Sequence, residues 1–135
     1  MCNILVPMDG SESSARAVRL LIRLHERLAP LRVHLLHVQV PPAPIEGELA
    51  SSQSGEAAVR KALTAAKALL DAASVPYTSE IVTGYVGSTI VSHARANGCD
   101  GIVMGARGAG STEQLLGSIA RQVVQLADMP VTLVK

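Results

Sequence analysis

Ile4-Leu5-Val6 is an unbroken apolar run that ends at once in Pro7-Met8-Asp9-Gly10-Ser11. A short continuous run of this kind, closed by turn residues, reads as a parallel strand buried on both faces. The period then changes. Ala17, Val18, Leu21, Ile22, His25 and Leu28 recur at three- and four-residue steps, with Arg16, Arg19, Arg23 and Arg27 largely opposite. The turn therefore opens an amphipathic helix, capped by Ser11 or Asp9 and ending near Ala29-Pro30.

The same alternation repeats along the chain. Val33 to Val40 is a second strand, stopped by Pro41-Pro42. Pro41 to Ser54, rich in Pro, Ser and Gly and without a clear period, reads as a surface loop inside the domain rather than a linker. Val59, Ala62, Leu63, Ala66, Leu69, Leu70 and Ala73 mark a second helix, Tyr77 to Val82 a third strand, and Ile90, Val91 and Ala94 a third helix closed by Asn97-Gly98. After a fourth strand, Gly101 to Met104, a glycine-rich loop from Gly105 to Gly110 leads to a helix carrying Leu116, Ile119, Ala120, Val123 and Leu126. Val131 to Val134 is the last strand. This order predicts a single α/β domain over residues 1–135: a parallel sheet with right-handed crossovers and helices on both faces.

Composition narrows the function classes. The chain has 135 residues, 48% of them apolar, yet Phe and Trp are absent and Tyr77 and Tyr85 are the only aromatics, so Leu, Val, Ile and Ala must build the core. Twelve basic against eleven acidic residues give a net charge of +1, which offers no footprint for nucleic acid or an anionic membrane. Base-stacking platforms are missing as well. Cys2 and Cys99 form no metal-ligand spacing and no CxxC motif, and read as reduced, structural thiols. The amino terminus enters a strand pattern without a basic region or long apolar stretch, and no segment approaches a membrane span, so a cytoplasmic protein is expected.

In a parallel sheet, ligands collect outside the carboxyl ends of the strands. Two segments follow strands there: Pro7-Met8-Asp9-Gly10-Ser11, and Gly105-Ala-Arg-Gly-Ala-Gly110. Glycines let backbone N–H groups approach phosphate oxygens, and the amino end of the next helix adds partial positive charge; Gly105, Gly108, Gly117 and Ser118 fit that role. The competing reading is a loop that needs positive φ angles, with Ser118 as a plain helix cap. Asp9 is placed to accept hydrogen bonds from a ribose or an adenine amino group, or to hold Mg²⁺ near phosphates. Its competing role is a helix cap with Glu12 at the third position. Arg107 can pair with a phosphate or stay solvated.

No Lys follows the glycines, so this is no P-loop, and the GxGxxG order is absent after strand one. His25, His34, His37 and His93 show no metal spacing, and no Ser/His/Asp or Cys/His arrangement emerges. A phosphoacceptor receiver domain would need an aspartate ending strand three, where Val82-Thr83-Gly84 stands; a flavodoxin-like carrier would need aromatic cover for its flavin.

Ile4-Leu-Val-Pro-Met-Asp-Gly-Ser11, Gly105-Ala-Arg-Gly108 with Gly117-Ser118, and Pro130-Val-Thr-Leu-Val134 together resemble the universal stress protein family, essentially over the whole chain. The resemblance implies a Rossmann-like three-layer sandwich with a five-stranded parallel sheet ordered 3-2-1-4-5, which sets strands one and four side by side. In the nucleotide-binding branch a pattern of Gly, two residues, Gly, nine residues, then Gly and Ser or Thr wraps the ribose and phosphates of ATP. Gly105, Gly108, Gly117 and Ser118 take those places, with eight residues, Ala109 to Leu116, where the pattern has nine. Pro7, Met8, Asp9 and Val38 become the adenine side; Met104 and Arg107 complete the candidate set. The resemblance also implies a homodimer by antiparallel pairing of the Val131–Val134 strands, which would bury Val131 and Leu133, or Thr132 and Val134. The expected function is stress-response regulation through ATP or another adenine nucleotide, with Mg²⁺ as its companion ion. The alternatives are a slow Mg-dependent ATPase, and a member that has lost nucleotide binding and serves only as a dimeric interaction module.

Overall fold

A computed structural model describes residues 2–41, 48–108 and 116–135, with the backbone path alone for 48–54. The elements run β1 (Cys2–Pro7), α1 (Glu12–Arg27), β2 (Leu31–Gln39), α2 (Glu48–Ala72), β3 (Tyr77–Thr83), α3 (Val86–Ala96), β4 (Gly101–Gly105), α4 (Ser118–Leu126) and β5 (Val131–Val134). The sheet order is β3-β2-β1-β4-β5, every pair parallel. This is the α/β architecture expected from the alternation, with the implied strand order.

The continuous apolar runs have a direct cause, because each central strand feeds two cores. On one face Val6, Val33, Leu35 and Val103 pack with Ala17, Val18 and Leu21 of α1 and with Leu63 and Leu70 of α2. On the other, Leu5, Leu36, Ile102 and Met104 meet Ile90, Val91 and Ala94 of α3 and Ala120 and Val123 of α4. Neighbours Leu5 and Val6 thus point into opposite cores, as the two-residue period of a strand requires. Each fully buried Leu or Val contributes about 1.5 to 3 kcal/mol relative to exposure.

Several local expectations are corrected. Strand two spans Leu31–Gln39 rather than Val33 to Val40: β1 pairs with it from Cys2↔Leu31 onward, drawing in two earlier residues, while Val40 lies beyond the ladder and is exposed. The expected loop Pro41 to Ser54 is helical from Glu48, and 42–47 lie outside the described residues. Periodicity reports a buried stripe, whereas a helix extends on backbone hydrogen bonds alone. Leu28, expected on the buried face of α1, is the C-cap and 78% exposed. Leu69 is also exposed, and Leu116 lies ahead of α4 rather than inside it.

The helix entries settle two of the cap alternatives. Ser11 caps α1, its Oγ accepting the Ser14 N–H at 3.2 Å, while Glu12 pairs with Arg19 at 3.1 Å. Asp9 is not the cap. The N-cap of α4 is Gly117, and Ser118 is the first helical residue, so its hydroxyl is not the cap either.

Candidate functional site

β1 and β4 are neighbours whose chains leave the sheet into different helices, α1 and α4, so a crevice opens between their carboxyl ends. At the end of β1, Met8 is held on both sides of its backbone: its N–H donates to Leu36 O at 2.7 Å, and His37 Nδ1–H donates to its carbonyl at 2.8 Å. Asp9 follows, exposed, its Oδ1 accepting the Ser11 N–H at 2.9 Å. The chain then turns through Gly10 at φ +85°, a conformation that a side chain would strain, and enters α1.

The loop after β4 is anchored from three directions. Ala106 N–H donates to Val134 O at 2.8 Å, Gly117 N–H donates to Ala106 O at 2.8 Å, and Ser13 Oγ donates to Arg107 O at 2.6 Å. Packing explains two of the glycines. A Cβ on Gly105 would lie 2.9 Å from the Ser13 carbonyl carbon and Cβ, and one on Gly117 would meet Gly108 N at 3.2 Å. Gly108 differs: among the described residues a Cβ there would come nearest to Asp9 Oδ2 at 3.6 Å, an ordinary contact, and its φ lies outside the left-handed region.

Between these segments lies a cleft of about 190 Å³. A water needs only about 10 to 15 Å³ of such space, so the cleft admits a small organic molecule. Pro7, Met8, Asp9, Val38, Met104, Gly105, Arg107, Gly108, Gly117 and Ser118 all line it. These ten are the residues singled out from the sequence, brought together from four separate stretches. Most of the eight-residue interval Ala109 to Leu116 lies outside the described residues, Leu116 excepted.

Sequence reasoning missed the apolar walls, Val86 and Ile90 of α3 and Ile119 of α4, and also His37 and Ser14 at the β1 end. The walls carried no separate signal, since they belong to the same apolar stripes that build the core. The sequence around His37 offers no metal-ligand spacing and no other signal of its place at the cleft. Ser13 was missed as well; it is 3% exposed and sits behind the loop rather than in the cleft.

Among the described lining residues Arg107 is the one guanidinium and Asp9 the one carboxylate, so the cleft is mainly apolar with charge confined to its rim. The first turn of α4 holds no acidic residue and, among the described residues, no side-chain cap. Its leading N–H groups therefore carry partial positive charge toward the cleft. Neither thiol belongs to this site. Burial, then the Asp100 charge, pushes Cys2 and Cys99 up, against the thiolate that nucleophilic chemistry requires. Among the described residues no helix is long and apolar enough to cross a membrane.

Comparison with known proteins agrees with this architecture. The profile of the universal stress protein family matches residues 1–135. Universal stress protein MJ0531 of Methanocaldococcus jannaschii is 33% identical, over 98% of this chain and 81% of its own. The structure of the protein MJ0577 superposes with a TM-score of 0.80 at 30% identity, covering 98% of this chain and 94% of that one. A universal stress protein solved in complex with cAMP is 26% identical with a TM-score of 0.63, covering 98% and 95%. With one profile spanning its length and relatives matching nearly end to end, this chain belongs to the universal stress protein family.

Proposed function

We propose that the chain binds an adenine nucleotide in the cleft between β1 and β4 and works as a regulatory protein of the stress response. The observation that carries this reading is the convergence of the two post-strand segments on one apolar cleft, faced by the uncapped amino end of α4. An apolar slot suits a purine, Asp9 suits ribose hydroxyls, and the N–H groups at Gly108 and the start of α4, with Arg107, suit phosphate. A similar protein was solved with cAMP, and structures that share the fold carry AMP in Arabidopsis thaliana and dAMP in Archaeoglobus fulgidus.

The eight-residue interval favours a loose hold on a γ-phosphate, hence similar affinities for ATP and AMP. Among the described residues no group of three His, Cys, Asp or Glu side chains gathers for a metal. A Mg²⁺ accompanying the nucleotide would take Asp9 and the ligand's own phosphate oxygens. The same reading includes a homodimer: β5 is an outer strand, and an apolar edge with unpaired backbone groups favours another chain. The test is calorimetric titration of ligand-free protein with ATP, ADP and AMP. Nucleotide at about a hundredfold its Kd should stabilise the fold by about 2.7 kcal/mol. No heat and no thermal stabilisation at millimolar nucleotide would refute the reading.

A further inference from the structure

Ser13 belongs to no part of the cleft lining, yet it is almost fully buried and spends its hydroxyl on a carbonyl 94 residues away, Arg107 O at 2.6 Å. Its neighbour Ser14, equally buried, spends its own on Ser11 O within the same helical turn. A peptide group is planar and trans, so the Arg107 carbonyl and the Gly108 N–H point in opposite directions. Holding that carbonyl against α1 turns the Gly108 N–H away from α1. Among the described residues no acceptor meets this N–H. A side chain at 117 would crowd the same amide, its Cβ 3.2 Å from Gly108 N, and Gly117 leaves that space open.

We infer that Ser13 is a positioning residue: by clamping the Arg107 carbonyl, it aims the Gly108 N–H into the cleft to receive an anionic oxygen of the ligand. This rests on the nucleotide-binding reading and extends it to a residue that never touches the nucleotide. Gly105 belongs to the same device, because only a residue without Cβ lets Ser13 approach this close. The phosphate-binding geometry is therefore set by the packing of α1 on β4, and the base and ribose are recognised independently at Asp9 and Val38.

The test pairs a ligand-free and a ligand-bound measurement on Ser13→Ala. In ligand-free protein the Gly108 amide should show an order parameter near about 0.85 in wild type and fall toward about 0.6 in the variant. With ligand, Ser13→Ala should shrink the preference for AMP over adenosine about tenfold while adenosine affinity stays unchanged, as expected for loss of one hydrogen bond to a charged group. A Gly108 amide equally rigid in both proteins would overturn the inference, and so would equal weakening of AMP and adenosine. If wild type binds neither ligand, the nucleotide reading fails, while the order parameter still decides whether Ser13 holds the peptide.

Discussion

Replacing Gly105 with alanine would set a methyl group 2.9 Å from both the carbonyl carbon and the Cβ of Ser13. One of those atoms is backbone in the first turn of α1, so the clash cannot be relieved by rotating a side chain. Overpacking of this kind costs about 1 to 3 kcal/mol. An unfolding entropy of about 2.1 cal/mol/K per residue gives roughly 280 cal/mol/K for 135 residues, so each kcal/mol moves Tm by about 3.5 °C and Gly105→Ala should melt about 4 to 11 °C lower. Gly108→Ala is the contrasting change. Among the described residues its Cβ would meet one atom, Asp9 Oδ2 at 3.6 Å, without backbone strain, so stability should stay within about 0.5 kcal/mol of wild type. That methyl nevertheless enters the cleft beside Asp9 and should obstruct close approach of a phosphate. Scanning calorimetry of the ligand-free variants, followed by titration with AMP, separates the two: Gly105→Ala loses stability, and Gly108→Ala keeps stability but loses binding. Equal destabilisation by both, or an unshifted Tm for Gly105→Ala, would refute this division of roles.

Ser118→Ala should weaken AMP binding by about 1 to 2 kcal/mol with little change in Tm, since Ser118 is exposed at the first position of α4 and does not cap it; titration calorimetry measures both. Ile102 N–H donates to Pro130 O and Ala106 N–H to Val134 O, so even-numbered residues of β5 bond to β4 and the Leu133 amide faces outward. Leu133→Pro should therefore yield folded monomer by light scattering, and a wild type already monomeric at high concentration would end the dimer proposal. Among the described residues His34 keeps a buried Nε2 without a partner while its Nδ1 meets Thr78 Oγ1 at 2.8 Å. Burial first, then the charges of Arg32 and His93, push its pKa down, with Glu80 opposing. The unfolded chain then binds a proton that the folded protein refuses, so stability is full above about pH 6.5 and declines as pH falls toward the lowered folded value. Denaturant melts between about pH 7 and 5 should show this decline in wild type and a flatter profile in His34→Leu.

The alternation of strands and helices was legible without coordinates because burial on both faces writes continuous apolar runs and burial on one face writes a period near 3.6. The ends of those runs then marked the candidate cleft: Pro7 and Gly105 close strands, Met8-Asp9 and Ala106 to Gly108 follow them, and ligands of open parallel sheets gather outside such ends. Periodicity does not encode which partner a side chain meets. The Ser13–Arg107 bond spans 94 residues, and the His37 bond to the Met8 carbonyl depends on the register of two adjacent strands. Gly105 shows the difference most clearly. Its sequence context allowed a phosphate loop or a turn, and only the approach of α1 to β4 revealed a glycine required by Ser13. Likewise the stretch from Glu48 shows no clear apolar period in the sequence, and its helical backbone runs on into a segment held by Val59, Leu63 and Leu70. Sequence thus determined which surfaces must be buried and where the chain must turn. Tertiary packing decided which atoms stand within hydrogen-bonding reach, because those distances depend on the joint placement of elements remote in the chain.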